Sequence, residues 1–169
     1  LAVNAEGDVP LQVRSTHATI RPSAICSTGS GGMDWSDIPA PRSLLSQCRL
    51  LRELEEEFGA TFAARFGPPE ILGMARELAR GGQPEVFIVV EGAFTREDVL
   101  ASVRNTANDE VGSVLFLQLP RVGRAFDATG IARAIEAFER SYGDRIAPPL
   151  RAHFSLWFQH LAMTRRLVG

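Results

Sequence analysis

"PEVFIVVEGAFTREDVLASV", residues 84–103, joins two textures that call for different folds. "VFIVVEG" has the apolar, β-branched run of a buried strand that ends on an acidic residue, whereas "FTREDVLASV" has the texture of a helix start. As a strand end, Glu91 is placed like an active-site carboxylate. Within a helix it is a solvated surface charge. No catalytic motif elsewhere in the chain decides between the two, so the choice rests on the surrounding architecture.

Working outward, three segments open alike: "FGPPEILGMAREL" from Phe66, "FTREDVLASVRNT" from Phe94 and "FDATGIARAIEAF" from Phe126. With the three Phe aligned, Gly67, Thr95 and Asp127 coincide as helix-cap residue types, and Pro68 takes the first helical position of the first copy. Ile71, Val99 and Ile131 follow five residues after each Phe, where a staple contact across the cap forms. A repeat of this kind predicts stacked units, each too small to bury its own apolar face, and the simplest unit is a helical hairpin. The second helix of each unit then falls on "PEVFIVVEGA", "DEVGSVLFLQLPRV" and "PPLRAHFSLWFQHLAMTRRL". The first two are also compatible with buried strands, which periodicity cannot separate from helices. The expected fold is therefore all-α, a short array of helical hairpin repeats. The alternative is α/β with a small parallel sheet.

Residues 1–41 mix short alternating stretches with prolines and "STGSGG", which predicts an extended N-terminal arm ahead of an α-helical repeat domain at 42–169. Leu44, Cys48, Leu51, Phe58 and Phe62 share one helical face at the start of that domain. Trp35 and Ile38 are the arm's candidate anchors for a partner. Phe154, Trp157 and Phe158 of the last helix are candidates for an aromatic partner-binding face.

The repeat resembles pentatricopeptide-type helical repeats over residues 66–160. The resemblance implies a mitochondrial location and one of two activities. Small members serve as accessory subunits of large protein assemblies, the mitochondrial ATP synthase among them, while most members bind single-stranded RNA. Under the RNA alternative, Arg96, Asn105 and Asn108 would face a base.

Composition weighs between these. The chain has 169 residues, 45% hydrophobic and 22% charged, with a formal net charge of -2, and this favours one globular domain without the basic excess of a nucleic-acid binder. Its 18 basic residues are all Arg, which excludes a Schiff-base or Walker lysine in this chain. Two cysteines, Cys26 and Cys48, are too few for a disulfide framework or a closed zinc site. No apolar run is long enough to span a bilayer, so no direct membrane insertion is expected. The chain opens at Leu1 without Met, which leaves a processed terminus open.

"FIVVEG" resembles the first motif of Toprim nucleases and primases, which implies a Glu91 proton-transfer role beside an Asp-x-Asp magnesium strand. The downstream "SVLFLQLP" has no Asp, and Asp127 is accounted for as a helix cap. His153 and His160, seven residues apart, lack a third ligand in helical register. The sequence thus predicts no catalytic, cofactor or metal site. It predicts a non-catalytic accessory subunit that binds other protein subunits.

Overall fold

A computed structural model describes residues 1–29, 45–105 and 111–169. Trp35, Ile38 and Asn108, and the side chains of Cys48 and Asn105, lie outside the described residues. The chain is mixed α/β, not an all-α repeat array. In chain order it contains β1 (Ala2–Asn4), β2 (Asp8–Arg14), β3 (Ile25–Cys26), α1 (Leu45–Phe58), α2 (Ala60–Ala63), β4 (Glu70–Glu77), β5 (Gln83–Gly92), α3 (Arg96–Asn105) and β6 (Val111–Gln118). The hairpin β7 (Arg121–Val122) and β8 (Ala125–Asp127) follows, then α4 (Ala128–Tyr142), α5 (Pro148–Met163) and β9 (Leu167–Val168). The strands form three sheets in the orders β1-β5-β4, β3-β2-β6 and β7-β8-β9.

The quoted stretch is a strand followed by a helix. β5 pairs parallel with β1 on one side and antiparallel with β4 on the other. Its side chains alternate between two cores. Ile88 and Val90 join Ala2 beneath α1, α2 and α3, with Leu54, Phe58, Phe62 and Val99. Val89 joins Leu1 and Val3 beneath α4 and α5, with Ile131, Phe138, Leu150, Phe154, Trp157 and Leu161. A strand covered on both faces has no polar side, so its sequence is a continuous apolar run instead of an alternation. Burying each large side chain there contributes about 1.5–3 kcal/mol.

Two of the three aligned helix starts are real. Thr95 and Asp98 cap α3 reciprocally: the Asp98 N–H donates to Thr95 Oγ1 at 3.2 Å, and the Thr95 N–H donates to Asp98 Oδ2 at 2.9 Å. Phe94 and Val99 share one core cluster, and Phe126 and Ile131 share the other. The first copy fails. Phe66 forms an isolated antiparallel bridge with Gly92, and the residues expected to be a helix are strand β4. Pro69 biases the residue before it away from the helical region, Gly73 weakens a helix interior, and the apolar β5 offers a strand partner. Local helix signals lost to cross-strand pairing. Likewise Val111–Gln118, within a segment expected as a second helix, is β6, paired with β2 along its length.

Residues 1–14 are not an arm. Leu1, Ala2, Val3, Val9 and Leu11 are buried, and β1 and β2 each supply strands to a sheet. The turn between them depends on Gly7, whose φ is 88°; a Cβ there would lie 2.0 Å from the Leu119 carbonyl oxygen. Asn4 holds the turn from inside, accepting the Asp8 N–H at 2.8 Å and donating to the Phe94 carbonyl at 3.1 Å.

Candidate functional site: an open sheet edge beside an ion-pair cluster

Glu91 sits at the end of β5, half exposed, within a chain of ion pairs. Arg166 donates to it from the chain just before β9, and Arg121 Nη2 stands 3.7 Å from Glu91 Oε1. Arg166 Nη1 is also 3.6 Å from Glu70 Oε1, and Glu70 Oε2 lies 2.6 Å from His160 Nε2. Arg121 donates to the Asn4 carbonyl at 3.2 Å and lies over the Phe126 ring, 3.9 Å from its centroid. Both carboxylates are engaged by guanidinium groups. The cluster ties the ends of β4 and β5 to the C-terminal residues and to the β7–β8 hairpin. Among the described residues no three His, Cys, Asp or Glu side chains converge as a metal site would require. Glu91 is a strand-end residue, as the strand reading required, yet its surroundings make it an electrostatic clasp.

The two histidines of α5 are not brought together. His153 is buried, with Nε2 2.8 Å from the Ile88 carbonyl oxygen and 3.3 Å from the Leu1 nitrogen, and Nδ1 2.9 Å from Ser27 Oγ. A carbonyl only accepts, so Nε2 carries the proton and Nδ1 accepts from the Ser27 hydroxyl. Burial holds its pKa well below the usual histidine value. The pair has the connectivity of a nucleophile and base, but the far imidazole nitrogen is committed to a backbone carbonyl and the ring is shut from solvent. It works as a tie between the residues after β3, strand β5 and helix α5. Cys26 next to it is also buried, which pushes its thiol pKa up and leaves it a poor nucleophile.

The expected aromatic face is mostly inside. Phe154 and Trp157 are core residues, Trp157 standing edge-on to Phe126 at 5.4 Å, and Phe158 is half-buried and stacked on Phe154 at 6.1 Å. Residues spaced along one face of a helix mark its buried side whether a core or a partner covers it, and here α5 turns that side to the sheet. Arg96, considered for base recognition, donates from Nε to Asp8 Oδ1 at 3.0 Å. It pins α3 to β2.

Among the described residues, β4 ends its sheet and one of its edges is unpaired. Even-numbered residues of β5 turn their backbone groups to β1: the Leu1 nitrogen donates to the Ile88 carbonyl at 2.7 Å, and the Val90 N–H donates to the Leu1 carbonyl at 2.9 Å. Odd-numbered residues therefore face the β4 side, where the Glu91 carbonyl accepts the Gly67 N–H at 2.9 Å. Ile71, Met74 and Arg76 stand opposite Ile88, Val86 and Pro84. Their N–H and C=O groups consequently point away from β5, to the open edge. Pro84 has no N–H to give, which fits that arrangement. The same three side chains lie on the α1–α3 side of the sheet, beyond the cover of those helices. Ile71 is 56% exposed, Met74 69%, and Leu78 just past the strand 83%. Leu72 and Gly73, at a bulge, both turn to α5.

Sequence reasoning missed this edge because it placed Ile71 on a helix. The available signal was the Pro-Pro before it and the Gly within it. The fold is mixed α/β with three small sheets, and β4 stands at the end of one of them. No family model and no curated protein matches the chain. No helix among the described residues is long and apolar enough to cross a membrane.

Proposed function

We propose that this chain is a non-catalytic protein-binding subunit that takes a partner's strand along the free edge of β4. One observation carries the reading. The unpaired backbone groups of Ile71, Met74 and Arg76 lie beside two exposed apolar side chains, and such an edge is a template for strand addition unless charge, proline or cover blunts it. Between Ile71 and Ala75 the strand carries neither proline nor a charged side chain, and its irregularity is the bulge at Leu72–Gly73, which leaves Met74–Arg76 as the regular part of the edge. The mitochondrial compartment and the ATP synthase assembly implied by the helical-repeat resemblance depended on hairpins of helices. Strands in their place remove that support, and the accessory role now rests on the edge alone.

Met74→Pro tests it cleanly. It removes an outward N–H while leaving the β4–β5 ladder its bonds, a position at which an edge strand tolerates proline. In extract of cells that make the protein, the wild-type chain should elute well above its 18.4 kDa and the variant near it, with unchanged circular dichroism. Amide exchange should also slow at Met74 and Arg76 in the assembled form. Equal elution of the two chains would refute docking on this edge.

A further inference from the structure

We infer that the strand docked on β4 belongs to a different protein and carries a carboxylate opposite Arg76, with apolar residues opposite Met74 and Ile71. This rests on the β4 reading above and adds the partner's chemistry to it. The open edge presents, on one face, two apolar side chains and then a cation. Arg76 is exposed and, among the described residues, donates from its side chain to the Gly82 carbonyl alone, at 3.4 Å. The neighbouring charges are otherwise engaged: Glu77 pairs with Arg21 and stands 3.8 Å from Arg80. Those groups lie with Ala75 and Glu85 on the opposite face, by the alternation of the strand. Arg76 is thus a cation without a carboxylate, placed where a cross-strand neighbour would stand. An opposite charge directly across a ladder stabilises it and a like charge destabilises it.

A second copy of the chain does not meet this requirement. Laid antiparallel so that the outward backbone groups of two β4 strands pair, it sets Ile71, Met74 or Pro69 against Arg76, none of them acidic. In the antiparallel orientation, the more stable per residue, the complementary order from N to C is acidic, any, apolar, any, apolar. The x positions face α5 and are not selected by Arg76.

The probe is the dansylated peptide Ser-Glu-Thr-Val-Thr-Val-Ser-amide, titrated against the full chain alongside the same peptide with Lys for Glu. The Glu peptide should bind about tenfold more tightly than the Lys peptide, the size expected when an exposed pair changes from attraction to repulsion. Arg76→Glu, checked for an unchanged melting curve, should reverse the preference. Equal binding of both peptides, or a preference that Arg76→Glu leaves in place, overturns the carboxylate assignment while the edge reading stands. Binding of neither peptide, with wild-type dimers in sedimentation that Met74→Pro disperses, makes the occupant a second copy and also overturns it. Failure of the edge reading itself shows separately, as equal elution of wild type and Met74→Pro in extract.

Discussion

Ile71 and Ile88 are the same residue type, directly opposed across one hairpin, and their surroundings differ sharply: Ile88 is 9% exposed and Ile71 is 56% exposed. The helices α1, α2 and α3 reach across β1 and β5 and stop short of β4. What each isoleucine does is therefore set by the reach of elements packed from far along the chain. One strand is a structural axis and its neighbour carries an exposed apolar face.

The comparison breaks most severely if the axis loses its parallel partner. Removing residues 1–14 takes away β1 and β2, with Leu1, Ala2, Val3, Val9 and Leu11 from both cores. Cooperative thermal melting should vanish in calorimetry. A truncated chain that still melts as one sharp transition would show that β5 is held without β1.

A sharper form exchanges single residues. Ile88→Ala should destabilise by about 2–4 kcal/mol, as large-to-small changes in a packed core do. Ile71→Ala should cost under about 1 kcal/mol, the scale of an exposed site. Urea melts on the pair would measure both, and near-equal losses would mean that Ile71 is covered after all.

A further test of the same axis concerns pH. His153 binds the Ile88 carbonyl in its neutral form, and its pKa in the folded chain lies well below the unfolded value near 6.5. A histidine depressed in this way contributes stability that is complete above that unfolded value and is lost as pH falls below it. The slope reaches at most about 1.4 kcal/mol per pH unit, one proton's worth. Melting temperatures between pH 8 and pH 5 should fall for wild type and fall less for His153→Gln. Parallel slopes would mean that other groups set the acid sensitivity.

The parts of this fold that were legible in the sequence are those decided locally. The starts of α3 and α4 follow from capping and staple residues a few positions apart, and α5 follows from the spacing of Leu150, Phe154, Trp157 and Leu161. The parts that were not legible depend on distant partners. β5 reads as helix or strand until β1 and β4 are beside it, and the Pro, Gly and short alternations of residues 1–14 read as an arm until β6 and β5 receive them. The site follows the same division. Glu91 could be placed on a strand end by its own neighbours, but its engagement by Arg166 and Arg121 comes from residues far along the chain. The spacing of Phe154 and Trp157 marks one face of α5 without saying whether the core or a partner covers it, and both side chains are buried in the fold. The β4 edge was hidden because a false first repeat claimed it.

The pairing of Leu1 with Ile88, 87 residues apart, also fixes when this protein can fold. At a ribosomal rate of about 5–20 residues per second, the first strand waits roughly 4–17 s for its partner to be synthesised, and longer for it to clear the exit tunnel. During that interval two apolar segments meant for the centre have no sheet to join. Loop closure over such a separation comes late and slowly compared with helix formation. β1 stays without its sheet until residue 92 has emerged and β2 until residue 118 has, and a chaperone that holds residues 1–14 over that interval would raise the yield of folded protein.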